Sequence, residues 1–174
     1  MKSGKGAHSL DDIDRQILEI LQEDCTTPRN RVAELVGLSA PSIHERLRKL
    51  EESGVVQGYH AVLDARTLGL DVAAFIGVSV QHPSQIEAFE DAVVALKAVQ
   101  ECHHVTGDFT LLLKVRTANT ATLEVLISRI RSLPGVVRTV TMVVLSTQTE
   151  RVAIDLATQE EPEHRPRPHR SRYR

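Results

Sequence analysis

Tryptophan is absent from this chain and aromatic residues make up only 3% of it, so it lacks the stacking platforms on which single-stranded nucleic acids lay their bases. Cysteine is almost as scarce. Cys25 and Cys102 are the only two, far apart and in different expected domains, which argues against a disulfide framework and against the four-ligand spacing of structural zinc. No apolar run approaches the roughly twenty residues needed to span a bilayer, and the first residues lack the apolar stretch of a secretion signal. The expected location is the cytoplasm. Positive charge is not in excess either: Lys plus Arg number 21 against 23 for Asp plus Glu, a formal net charge of −2. That disfavours a binder working by bulk electrostatics, so any cationic surface has to be local. No Gly-rich phosphate loop, paired-carboxylate arrangement or activated nucleophile is recognisable; neither a cofactor nor a metal is expected.

At 174 residues and 41% hydrophobic content, the chain is long enough for two small domains, each with a modest core. The most informative stretch runs from Gly37 to Leu50. Gly37 suits the left-handed backbone that ends one helix, and Ser39 suits the cap of the next. Ile43, Leu47 and Leu50 recur at helical spacing and face inward, which puts Ser42, Glu45, Arg46 and Lys49 on an outer face. Hydrogen-bonding and cationic groups arranged in this way meet base edges and phosphates in a major groove. Upstream, Asp11 and Asp12 open a first helix with the apolar stripe Ile13, Ile17, Ile20 and Leu21. Thr27 is expected to cap a second helix, with Pro28 in its first turn, Val32, Ala33 and Val36 inward, and Arg29 and Arg31 near its start. Downstream of Gly54, the β-prone run Val55 to Leu63, interrupted by Gly58, predicts a hairpin or wing.

From about Asp71 the pattern alternates. Strands are expected over Ala73–Val80, Val99–Thr106, Phe109–Val115 and Val136–Leu145. One helix begins near Pro83-Ser84 with Ile86, Phe89, Val93 and Leu96 on one face. Another is capped by Asn119 and carries Leu123, Leu126, Ile127, Ile130 and Leu133 inward. The order βαββαβ predicts a four-stranded antiparallel sheet with two helices on one side. The other side, judged from Phe75-Ile76, Leu111-Leu112-Leu113 and Met142 to Leu145, is expected to be apolar and to be covered by a second copy of the chain.

Several strings together are highly specific: Leu10 to Leu18, Gly37-Leu38-Ser39, Glu45 to Tyr59, Val105-Thr106-Gly107-Asp108-Phe109 and Leu133-Pro134-Gly135-Val136. Over about residues 10 to 150 the chain resembles the leucine-responsive/asparagine-responsive (Lrp/AsnC) transcriptional regulators. The resemblance implies an α+β protein: an N-terminal winged helix-turn-helix joined by a hinge to a C-terminal ferredoxin-like effector domain. It implies a homodimer assembling to a tetramer or octamer, double-stranded DNA as partner, and control of amino-acid or nitrogen genes by an amino acid or other small-molecule effector. The expected DNA-binding residues are Arg29, Arg31, Ser39, Ala40, Pro41, Ser42, His44, Glu45, Arg46, Arg48 and Lys49, with Ser42, His44, Glu45 and Arg46 nearest base edges. The effector-binding set implied is Gly107, Asp108, Thr110, Thr139 and Thr141. The family motif there is Gly-x-x-Asp, so Thr110 stands where a carboxylate is usual, and a hydroxyl is the weaker partner for an α-ammonium group.

The expected boundaries are a flexible N-terminus over 1–9, the DNA-binding domain over 10–60, a hinge over 61–72, the effector domain over 73–152 and a disordered basic tail over 153–174. The end of that tail, rich in arginine, is read two ways: as a source of non-specific phosphate contacts, or as a solvated tail without a role in binding. An enzymatic alternative shares this two-module architecture: the siroheme-type tetrapyrrole decarboxylases, for which His103, His104 and Arg138 are the available side chains. The cationic helix and the absence of the aromatic, proline-rich strings of those enzymes favour the regulator, and no enzymatic activity is expected.

Overall fold

The computed structural model describes residues 9–156. Of the N-terminal segment expected over 1–9, residues 1–8 fall outside the described residues, as do residues 157–174 of the tail expected over 153–174. Two compact units are present, one formed by residues 9–60 with 151–156 and the other by 61–150.

In the first unit, α1 (Asp12–Glu23) opens on a capping box. The Asp11 side chain accepts the Asp14 N–H at 2.7 Å, and the Asp14 carboxylate accepts the Asp11 N–H at 3.4 Å. The second helix, α2 (Arg29–Val36), begins one residue later than expected: Pro28 holds the N-cap position and no side chain caps it. The reason is local. Pro28 already sets the extended entry at φ −59° and ψ 139°, while Asp24 takes both the N–H and the hydroxyl of Thr26 to build the preceding turn. Gly37, at φ 75°, ends α2, and the Leu38 N–H closes back on the Ala33 carbonyl at 3.0 Å. Ser39 caps α3 (Ala40–Glu52) by accepting the Ser42 N–H at 3.3 Å. Ile17, Leu18, Val32, Ala33, Ile43, Leu47 and Leu50 are buried together as the core. Full burial of one such aliphatic side chain stabilises by about 1.5–3 kcal/mol.

Two further expectations for this unit are corrected. No strand forms over residues 55–64, so the hairpin wing is absent there. Instead, Gly54 turns the chain at φ 80°, the Val56 N–H bonds to the Leu50 carbonyl at 3.0 Å, Val56 packs on the core, and the Tyr59 hydroxyl donates to Glu51 at 2.9 Å. These contacts tie the segment to the end of α3, and an isolated two-stranded ribbon has little stability to set against them. Residues 151–156, assigned by the sequence partly to the effector domain and partly to a disordered tail, lie along α1. Gln22 clamps Ile154 by donating to its carbonyl (3.0 Å) and accepting its N–H (2.6 Å); Arg15 donates to the Leu156 carbonyl (2.8 Å), and Leu156 packs on the core.

The second unit runs β1 (Val72–Val80), a 3₁₀ turn (Pro83–Gln85), α4 (Ile86–Val94), β2 (Val99–His104), β3 (Leu111–Thr117), α5 (Thr120–Arg131) and β4 (Val136–Val143). The sheet order is β2-β3-β1-β4 with every neighbouring pair antiparallel, the ferredoxin-like arrangement. Asn119 caps α5 in a capping box with Thr122. Ala74, Ile76, Val78, Leu111, Leu113 and Val115 pack against Phe89 and Val93 of α4 and Leu123, Leu126 and Ile130 of α5.

The other face of the sheet is less apolar than expected. Because side chains alternate along a strand, the runs divide: Ile76, Leu111 and Leu113 go to the core, and the open face receives Phe75, Leu112, Val140 and Met142. Lys114 and Arg116 interrupt it. Their cations pair with Glu150 at 2.6 and 3.0 Å, and Lys114 pairs also with Glu101 at 3.1 Å. Phe109 lays its ring over Gly77, where a Cβ would come within 2.6 Å of the ring, so only glycine fits beneath it.

Candidate nucleic-acid interface and effector loop

The residues picked out on the recognition helix share one element, but they are not equally available. Ser42, His44, Glu45, Arg48 and Lys49 are exposed, and Ala40 and Pro41 form the first turn above the Ser39 cap. Ser39 and Ser42 also join through their hydroxyls at 2.8 Å. Arg29, at the start of α2, donates to His44 Nδ1. Arg31 pairs with Glu34 at 2.9 Å.

Arg46 is engaged within the unit. Its Nη1 donates to Asp11 at 2.8 Å and to Asp14 at 2.7 Å, so the guanidinium is bound to the capping box of α1 and does not lie free toward solvent. Asp14 is 4% exposed, and burial of a carboxylate demands such partners. The Asp14 N–H, and then Arg46, hold the Asp11 carboxyl below the usual aspartate range; the two aspartates raise Arg46 in return, Asp11 the more. The signal for this tie was present in the Asp-x-x-Asp spacing ahead of the first helix, but its cross-helix partner was not visible in the sequence.

Along the same helix, Glu45 accepts from Arg48 Nε at 3.0 Å and Nη2 at 2.7 Å, and lies 3.7 Å from Lys49 Nζ. Arg48 Nη1 reaches Glu52 at 2.5 Å. Arg48 above all draws the Glu45 carboxyl down to about 2. With Glu45, Glu51 and Glu52 facing Arg46, Arg48 and Lys49 in number, α3 has no net charge when His44 is neutral.

The second constellation is the loop between β2 and β3. The Thr110 N–H donates to the Val78 carbonyl at 2.9 Å, and its Oγ1 accepts the Val80 N–H at 3.2 Å, binding the loop to the end of β1. Ser79 Oγ donates to the Asp108 carbonyl at 3.4 Å, and Gly107 takes φ 114°. Thr139 and Thr141 sit across β1, in register with Val78 and Ile76 and therefore on the helix-covered face. The loop and Thr139 thus share Val78 as neighbour, whereas Thr141 lies further along the strand. His103 pairs with Glu101 at 3.0 Å and His104 with Glu90 of α4 at 3.3 Å, on opposite faces; Arg138 is on the open face opposite Ser79. Burial raises the Cys102 thiol.

Residues 10–51 match the model of the AsnC-type helix-turn-helix domain, and residues 73–154 match that of the Lrp/AsnC ligand binding domain. The chain belongs to the Lrp/AsnC family. This Lrp/AsnC regulator is 36% identical over 148 residues to the HTH-type transcriptional regulator FL11 of Pyrococcus abyssi, covering 85% of this chain and 97% of that protein. It is 38% identical over 150 residues to the leucine-responsive regulatory protein of Escherichia coli, covering 83% and 92%. A solved transcriptional regulator from Neisseria meningitidis, in complex with L-Met, superposes with a TM-score of 0.80 at 28% identity, covering 86% of this chain and 98% of that one. These relatives are transcriptional regulators, and none of them supports the tetrapyrrole-decarboxylase alternative. The present chain is accordingly a DNA-binding transcriptional regulator. Among its described residues, no helix is long and apolar enough to cross a membrane.

Proposed function

We propose that α3 enters the major groove of duplex DNA. Ser42, His44 and Glu45 face base edges, the first turn from Ser39 to Pro41 lies close to the backbone, and Arg29, Arg31, Arg48 and Lys49 meet phosphates. One observation carries this reading. Ile43, Leu47 and Leu50, at 0%, 3% and 0% exposure, anchor α3 to the core, while its outer side holds only polar and charged side chains from Ser42 to Lys49. Arg46, bound to Asp11 and Asp14, sets the angle of that helix against α1 and is left out of the base-reading group.

Two such helices, presented by a dimer, suit half-sites about one or more helical turns apart. The loop over residues 105–110 is where a small-molecule effector acts, in the cytoplasm and on genes of amino-acid or nitrogen metabolism. Relatives named for leucine, and one solved with L-Met, support an amino acid as that effector. Thr110 offers it a neutral oxygen already engaged with the Val80 N–H, a weaker partner for an α-ammonium group than a carboxylate.

The test reverses two exposed charges, Arg48→Glu with Lys49→Glu. Affinity for a duplex selected from a random-sequence library is expected to fall at least about tenfold, and the salt dependence of binding to flatten by roughly two phosphate contacts. A variant with a normal thermal transition and undiminished affinity overturns the reading.

A further inference from the structure

We infer that Glu45 is the selectivity residue of the recognition helix: it restrains Arg48 and Lys49 against phosphates of the wrong sequence, and it reads an exocyclic amino group, that of cytosine, in the major groove of the right one. The inference rests on the proposal that α3 enters that groove.

Glu45 is the only carboxylate among Ala40 to Arg46, the half of α3 that reaches base edges when a recognition helix docks by its N-terminal residues. Glu51 and Glu52 lie at the far end. A carboxylate at such a place is a liability for a protein that binds DNA by charge, since it repels every phosphate in the site regardless of sequence. Here it also occupies two donors of Arg48 and draws the charge of Lys49 close. Arg48 gives it two parallel N–H bonds at 3.0 and 2.7 Å, and Lys49 stands 3.7 Å away. Phosphates compete for these cations against an acceptor that remains fixed on the same helix turn.

Exposed ion pairs of this kind are individually weak, so displacement itself costs little. What separates right from wrong sequences is the fate of the released carboxylate. Next to a base edge offering only acceptors, it has lost its cations and gained no donor. Next to cytosine N4 it accepts a hydrogen bond, and the same displacement becomes favourable. Glutamine at this position keeps the shape, removes the charge beside Lys49 and one of the two carboxylates on Arg48, which keeps Glu52, and matches adenine through its N6 and N7.

Selection of duplexes from a random-sequence library with the wild-type chain and with Glu45→Gln tests this directly, followed by titration of both against a selected and an unselected duplex at several salt concentrations. Wild-type sites are expected to hold a cytosine at a fixed place in each half-site. For Glu45→Gln that preference moves toward adenine, affinity for unselected duplex rises roughly three- to tenfold, and the salt slope steepens by about one or two. The ratio of selected to unselected affinity falls. Glu52→Gln serves as the control: it removes the same charge from the same helix and one of the carboxylates of Arg48, yet it is expected to keep both the cytosine and the ratio. An unchanged base preference and ratio in Glu45→Gln, or an equal loss of selectivity in Glu52→Gln, overturns the inference while leaving the role of α3 standing. Duplex affinity unmoved by the Arg48→Glu, Lys49→Glu pair overturns both.

Discussion

At Arg46 the gap between composition and role is widest. A cation on the outer stripe of a recognition helix looks like a DNA contact, yet its two hydrogen bonds run to Asp11 and to the buried Asp14. Removing it takes a charged hydrogen-bond donor away from a buried carboxylate, which costs about 1–3 kcal/mol. Arg46→Met is therefore expected to lower the stability of the helix-turn-helix unit by that amount in urea unfolding, while duplex affinity, measured well below the transition, changes by less than about threefold. A fall in affinity beyond about tenfold without a loss of stability returns Arg46 to the base-reading group. The acid limb provides a second check. Asp11 has its carboxyl held below the ordinary value of 3.8, first by the Asp14 N–H and then by Arg46. A lowered carboxyl contributes stability that is fully present above its unfolded value and is lost as pH falls through the folded one. Stability in the wild type is thus expected to hold through neutral pH and to decline below about pH 4, more steeply than in Arg46→Met.

At the level of elements, each helix starts and stops where local chemistry dictates, and the exceptions are where an element meets something distant in sequence. Asn119 and Ser39 cap as their residue types suggest. The segment 151–156 is different, for nothing in Arg151 to Leu156 marks it as a partner of α1. Its backbone bonds to Gln22 and Arg15, and its Leu156 contact with the core, make it a strap on the helix-turn-helix unit. Gln22→Ala combined with Leu156→Ala is expected to destabilise that unit by about 1–3 kcal/mol in thermal or urea unfolding, from lost apolar burial and two unmade backbone bonds. The transition of the unit over 61–150 should not move. Equal stability of the double variant and the wild type shows the strap to be idle.

For the whole molecule, two cores divide the work: seven buried side chains hold the helix-turn-helix, and a separate cluster across the sheet and its two helices holds the effector unit. The open face of that sheet presents Phe75, Leu112, Val140 and Met142 beside the ion network of Lys114, Arg116, Glu101 and Glu150. A mixed apolar and paired surface of this sort suits a self-complementary contact, in which each copy buries the patch of the other. Light scattering at micromolar concentration is expected to give the mass of a dimer or a multiple of it, and millimolar amino acids that include the effector are expected to shift the distribution. A monomer throughout contradicts the two-fold docking of recognition helices; a fixed mass and no change in duplex affinity with any amino acid contradicts amino-acid sensing.

Periodicity and caps sufficed for the helix-turn-helix, the βαββαβ order and the outward polar stripe of α3, because these depend on residues three, four or two positions apart. Ile43, Leu47 and Leu50 had to face inward whatever surrounded them. The partners of Arg46, the missing hairpin after Gly54, the strap from Ile154 to Leu156 and the ring of Phe109 over Gly77 were decided only when the chain closed on itself. Each joins groups that the sequence keeps apart or lets a backbone settle on the nearest packed surface, and no local pattern encodes which long-range neighbour will satisfy a charge, a carbonyl or a bare glycine.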